Sequence, residues 1–318
     1  MLSIFRIFKK KKKDDGIVVI KKSEPETCGG TDATLDTNAP KKIASDKMTF
    51  FEATSALHGD YIMSDGAKNT FERLGYISAF AAPVGKDTFM FLETSGSSHY
   101  GDDRKSSWAL VKGNAFSPLV KLVNECDIAK RNGYHSKTHG LPENFGGEVY
   151  IRYESGEKIG FSDNQSPILS FEEGKKIHEA FVKAMKGKKV ALPSASDICE
   201  IRFCEERKNG GYTRAVLSLG ADGTGINKKE SKYDAPRIYK SEKPVDAETV
   251  SSIKESIERC GILAWENLPE SSYKSGSEKK LTFVFGDGRK ITVTNDKKTP
   301  DRLSGGFFDI EIEMATKN

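Results

Sequence analysis

Phe116-Ser-Pro-Leu119-Val-Lys-Leu-Val123-Asn-Glu-Cys126-Asp-Ile128 and Val250-Ser-Ser-Ile253-Lys-Glu-Ser-Ile257-Glu-Arg-Cys260-Gly-Ile262 are the stretches whose reading decides the fold. They stand 134 residues apart, and in each the apolar positions recur at i, i+3, i+7 and i+10 with a cysteine at the same step. That spacing stacks the apolar side chains along one stripe and predicts two amphipathic helices. A match of pattern at a fixed offset is the signature of an internal repeat.

The match continues outward. After the first helix, Val149, Ile151 and Tyr153 alternate, Gly156 marks a turn, and Ile159 and Phe161 resume. At an offset of 132 stand Leu281, Phe283, Phe285, Gly288, Ile291 and Val293. Alternation around Asp287-Gly288 predicts a β-hairpin. Each hairpin leads to an Asx-rich stretch (Asp163, Asn164; Asn295, Asp296), a proline (Pro167; Pro300) and a last element. In the first copy that element is a helix with Ile177, Phe181 and Met185 on one face. In the second, Leu303, Phe307, Ile310 and Met314 fit a helix, whereas Phe308, Ile310, Ile312 and Met314 alternate as in a strand; position in the repeat favours the helix. Strand-like runs precede each central helix: 76–82, 88–93 and 107–111, then 199–204, 212–219 and 237–240.

The expected fold class is therefore α+β: two tandem β-β-β-α-β-β-α modules, each an antiparallel sheet with helices on one face. The expected division is a basic N-terminus and flexible linker over 1–47, a first module over 48–188 with a helical preface at 48–74, and a second module over 189–318. Residues 23–45, rich in Thr, Asp, Gly, Pro and Lys, read as the linker.

Within the second module, Cys260-Gly-Ile-Leu-Ala-Trp265, Phe283-Val-Phe-Gly-Asp-Gly288-Arg-Lys-Ile291 and Pro300 resemble a class of uncharacterised bacterial α+β domains. Those domains combine a helix ending before a Trp, a strand–Asp-Gly–strand hairpin and a proline-led helix. The resemblance implies a fold and no activity. The first module departs from it, with Arg131 where the Trp would fall.

Composition sharpens the function classes. Among 318 residues, 18 Phe, 10 Tyr and 2 Trp exclude collagen-like, mucin-like and wholly disordered chains. The net charge is +4, but Arg6, Lys9, Lys10, Lys11, Lys12, Lys13, Lys21 and Lys22 against Asp14 and Asp15 put +6 into residues 1–22, which leaves −2 for the other 296. Met1, Ile4, Phe5 and Phe8 would share one helical face just before the lysines. Ile4, Phe5, Phe8 and Lys9 to Lys13 are thus candidates for weak contact with an anionic membrane or another polyanion, at about 1 kcal/mol per lysine beside an anionic leaflet. No apolar run reaches the roughly 20 residues of a spanning helix. Five thinly spread cysteines with no Cys-x-x-Cys pair form no disulfide framework, so a cytoplasmic protein is expected, its N-terminus read first as a solvated basic tail and second as a peripheral membrane contact.

Chemistry is sparse. Gly220-Ala-Asp-Gly223-Thr-Gly225 lacks the Gly-Lys-Ser/Thr ending of a phosphate-binding loop and reads as a connection between strands. No nucleophile elbow or catalytic cysteine context exists. No recognition-helix signature and no basic stripe interleaved with aromatics is visible, so no specific nucleic acid is expected. Features unique to the first copy are polar loops, where binding residues gather on a rigid scaffold. Their candidates for a small polar ligand or a protein partner are Tyr134, His135, His139, Asn144, Asp163, Asn164 and Gln165. No cofactor is implied. The leading expectation is a non-catalytic binding or interaction protein; the rival is a metal-assisted hydrolase using His135, His139 and Asp163.

Overall fold

A computed structural model describes residues 16–21, 30–57, 60–64, 69–96, 103–140, 146–207, 209–233, 237–266, 278–295 and 304–316. The chain divides into two compact units. The first comprises Met1–Ala82, Met90–Ser106 and Val111–Lys188, and the second Pro83–Phe89, Ser107–Leu110 and Lys189–Asn318. Both mix sheet with helix, and the chain as a whole is rich in strands.

The strands before the first helix are β1 (Ile17–Lys21), β2 (Thr31–Asp36), β3 (Met48–Ala56), β4 (Asp60–Ser64), β5 (Asn69–Arg73), β6 (Tyr76–Val84), β7 (Asp87–Ser95) and β8 (Lys105–Val111). Then follow α1 (Ser117–Glu125), β9 (Tyr134–Thr138), β10 (Gly147–Tyr153), β11 (Lys158–Asp163) and α2 (Phe171–Met185). One sheet has the order β1-β2-β9-β11-β10-β3-β6-β7-β8, and β4 pairs with β5 alone. β9 and β11 run parallel, an exception to the expected antiparallel order.

The expected stripes are where the core lies. Val149, Ile151, Ile159 and Phe161 of the hairpin are buried together with Leu119 and Val123 of α1 and Ile177, Phe181 and Met185 of α2. Phe51 meets Phe181 with ring centres 5.7 Å apart. α2 starts on a capping box: Ser170 Oγ accepts from Glu173 N, and Glu173 reaches back to Ser170 N.

Three expectations need correction here. The preface over 48–74 is not helical: β3 pairs with β10 on one side and β6 on the other. Every residue of β3 except Thr49 is buried, so alternation, the usual mark of a strand, is absent. The linker over 23–45 contains β2, held between β1 and β9. The polar stretch from Asn132 to His139 is mostly strand β9, not a loop.

The second unit contains β12 (Ile198–Glu206), β13 (Tyr212–Leu219), β14 (Gly225–Lys232), β15 (Ile238–Val245), α3 (Ala247–Cys260), β16 (Glu278–Phe285), β17 (Lys290–Asn295) and α4 (Ser304–Glu311). Its sheet order is β15-β14-β13-β12-β16-β17, with every adjacent pair antiparallel. β14 is one strand more than the sequence predicts, because its lysines and glutamate hide the alternation. Ile201, Phe203, Leu217, Leu281 and Phe283 are buried with Val250, Ile253 and Ile257 of α3. The last element is a helix, extended by a π turn over Ile312–Thr316, with Phe307, Ile310 and Met314 buried. Asp246 Oδ1 caps α3 by accepting from Thr249 N at 2.7 Å, and Gly261 ends it at φ 61°. Cys126 and Cys260, expected on the helix stripes, sit half-buried at the C-terminal ends of their helices.

Candidate binding groove

Before α2 the chain forms a strap over Asn164–Ser170, and the strap is fixed from below. Ser55 is fully buried on β3, and its Oγ accepts from the amides of Ile168 and Leu169, both at 3.3 Å. From the side, Arg131 Nη1 donates to the carbonyl of Ile168. The same guanidinium forks onto Glu173, with Nη2 to Oε1 at 2.6 Å and Nη1 to Oε2 at 3.2 Å, and lies 4.9 Å from the centre of the Phe161 ring. Planar bidentate pairing of this kind sets orientation as well as energy.

These elements bound an open groove of about 810 Å³, whose lining includes Arg131, Tyr134, Phe161, Asp163, Leu169 and Glu173. Phe161, Ile168 and Leu169 give it an apolar floor, while charged and phenolic groups supply convergent polar atoms. That is the composition of a binding cleft.

The pleat decides which expected residues reach it. His135 faces Ser162 and Ser136 faces Asp163 across the β9–β11 pair. Alternation therefore puts Tyr134, Ser136, Phe161 and Asp163 on one face and His135 with Ser162 on the other. Tyr134 and Asp163 line the groove. His135 Nδ1 lies 2.9 Å from Ser162 Oγ, and burial holds its pKa below the ordinary 6.5 against an opposing pull from Asp36. His139 Nε2 lies 3.1 Å from Asp32 Oδ2. Asn164 brackets Thr138, accepting from its N at 2.7 Å and donating to its O at 2.8 Å. Asp163 Oδ1 accepts from the amides of Gln165 and Ser166, both at 2.8 Å, so Asp163, Asn164 and Gln165 shape the entry to the strap.

The set His135, His139 and Asp163 is not brought together. The two histidines are four residues apart along extended chain, roughly 13 Å, and His135 and Asp163 face opposite ways. Among the described residues no group of three His, Cys, Asp or Glu side chains is placed to hold a metal ion. Asn144, Ile4, Phe5, Phe8 and Lys9 to Lys13 lie outside the described residues. Among those that are described, no helix is long and apolar enough to cross a membrane.

Arg131, Phe161, Leu169 and Glu173 are groove residues that the sequence reading did not select. One signal was available: Ser170-x-x-Glu173 before an apolar run is a helix start, which locates the groove wall. Compared with known proteins, the chain matches no family model and no curated protein.

Proposed function

We propose that the protein is a non-catalytic binding protein of two duplicated α+β modules, working in a reducing compartment, and that the groove beside Arg131 receives an extended peptide segment of a partner. The groove carries this reading: an apolar floor to take side chains, with polar groups at its rim to orient a main chain.

The duplication is supported by local geometry at the same steps. α1 and α3 each lead through a left-handed residue, Asp127 at φ 51° and Gly261 at φ 61°, into a short 3₁₀ turn. Both hairpins turn on a glycine, Gly156 at φ 86° and Gly288 at φ 84°. After its 3₁₀ turn the second module carries the buried Trp265, whose Nε1 donates to Cys260 O at 3.2 Å. The first carries Arg131 at that step, and with it the groove. No disulfide joins the four described cysteines.

The test is to pan a random peptide library against the immobilised full-length protein, then measure the enriched peptides against wild type and Tyr134→Ala. Peptides that compete with one another and lose about tenfold or more on the variant support the reading, since one interface anchor commonly carries over 1 kcal/mol. Failure to enrich, or binding indifferent to Tyr134→Ala, overturns it.

A further inference from the structure

Read along the chain, β14 and β15 mix acids with bases; the pleat sorts them. Lys229 faces Ser241 and Ser231 faces Tyr239 across the ladder, so odd-numbered residues share one face of the hairpin and even-numbered residues the other. On the even face Lys228 pairs with Glu242 at 3.5 Å and Lys240 with Glu230 at 3.1 Å, and Lys232 adds one further positive charge. The odd-numbered residues include Lys229, Tyr239 and Lys243; toward the middle of the sheet this side is covered, with Ala215 and Leu217 buried and Asn227 Nδ2 donating to Met314 O, and Glu205 joins it in the row Glu205–Thr213–Ser231–Tyr239.

At the end of this hairpin four side chains form a continuous ladder. The Arg207 guanidinium is 5.1 Å from the centre of the Tyr233 ring, Tyr233 and Tyr239 are 6.2 Å apart at 63°, and Arg237 is 5.2 Å from the Tyr239 ring. Arg207 is anchored through Nη2 to Glu205 and to Thr213 Oγ1. Each guanidinium covers part of one ring, yet Tyr233 remains 52% and Tyr239 48% exposed. Glu205 offsets the charge of Arg207, so the two exposed rings stand beside the positive charge of Arg237.

We propose that this end of the hairpin binds single-stranded nucleic acid, with phosphates meeting Arg237 and Lys243 and bases stacking on Tyr233 and Tyr239. Fixed cations track a phosphate backbone, and every base has a face to stack, so the recognition tolerates sequence. A duplex hides its base faces and would gain only the charge attraction.

The experiment is fluorescence anisotropy of the full-length protein with a labelled oligouridine of about twelve nucleotides, matching the span of such sites, and with a duplex of the same length. Tyr233→Ala and Tyr239→Ala leave every charge in place; each is expected to weaken single-strand binding roughly tenfold, with Tyr→Phe at either position retaining it. Arg237→Ala is expected to lower the slope of affinity against salt by about one. The basic residues near the N-terminus attract any polyanion, so the tyrosine variants are decisive. Binding unchanged in both alanine variants means charge alone is responsible and overturns the proposal. So does equal affinity for the duplex, or no binding at low salt.

Discussion

The indole Nε1 of Trp108 donates to the main-chain carbonyl of Glu258 at 2.6 Å, and its ring occupies the space beside Gly261. A Cβ at Gly261 would stand 2.4 Å from Trp108 Cδ2, at a backbone φ of 61° that side chains resist. Gly261→Ala therefore meets two penalties, left-handed backbone and overpacking, and is expected to destabilise by about 2–4 kcal/mol. Trp108→Phe keeps a ring and loses one hydrogen bond, at about 1 kcal/mol. Urea midpoints check both, and equal losses would show that the ring, not the glycine, dominates.

Ser55→Ala leaves the amides of Ile168 and Leu169 without their buried acceptor. We expect a loss of about 1–3 kcal/mol. Hydrogen exchange should accelerate at those two amides more than at the core of α2, which distinguishes loosening of the strap from general unfolding.

Arg131→Lys retains the charge but not the fork that spans Glu173 and the Ile168 carbonyl. It is expected to cost about 1 kcal/mol, and Arg131→Ala about 2–3 kcal/mol, because charge-assisted bonds to a partly covered carboxylate are lost. Thermal denaturation of the two variants side by side reads the difference; identical melting would assign the whole effect to the lost fork and none to charge.

Two groups give the pH dependence a shape. Glu157 accepts from the amides of Ala44 and Ser45 at 2.9 and 3.0 Å and from Ser155 Oγ at 2.7 Å, bonds that hold its pKa below the ordinary 4.5. A depressed carboxylate stabilises the fold above its unfolded pKa, and that stability is lost as pH falls below 4.5 toward the folded value. His135, lowered from 6.5 by burial, also acts on the acid side: the unfolded chain takes up its proton first, so stability falls as pH drops below 6.5. Glu157→Gln should flatten the lower part of the stability–pH curve and His135→Asn the upper part. Unchanged curves would show that neither group is linked to folding.

β1 ends its sheet with Ile17, Val18, Val19 and Ile20 exposed by 48, 37, 50 and 48%. Apolar edge strands invite association with other chains, and a lysine on the edge discourages it. Val19→Lys is expected to reduce concentration-dependent light scattering while leaving the melting temperature unchanged. Equal scattering would place the sticky surface elsewhere.

The helices were legible because each buries one stripe, and a one-sided burden forces a readable period. The hairpins at Gly156 and Gly288 were legible for the same reason, together with their turn residues. β3 was hidden because burial on both faces erases alternation, β9 because pairing with β2 along its length and with β11 at two positions makes Tyr134-His-Ser-Lys-Thr138 a strand despite its polarity. Tyr134 and Asp163 were chosen from the sequence for their chemistry; what groups them, and sends His135 the other way, is a register set by residues 27 positions apart. Arg131 was visible only as a departure from Trp265. The ladder of Tyr233 and Tyr239 was invisible, since linear order interleaves charges that the strands later separate.

Glu173 holds two posts at once. Oε2 accepts from Ser170 N at 2.7 Å and so ties down the first turn of α2, while Oε1 is the near partner of Arg131. A guest that recruits this carboxylate withdraws it from the helix start, and fraying of the helix start in turn frees it for a guest. Were the groove to take a guest through this carboxylate, its occupancy and the fraying of the first turn of α2 would be linked equilibria, each shifting the other by the same factor.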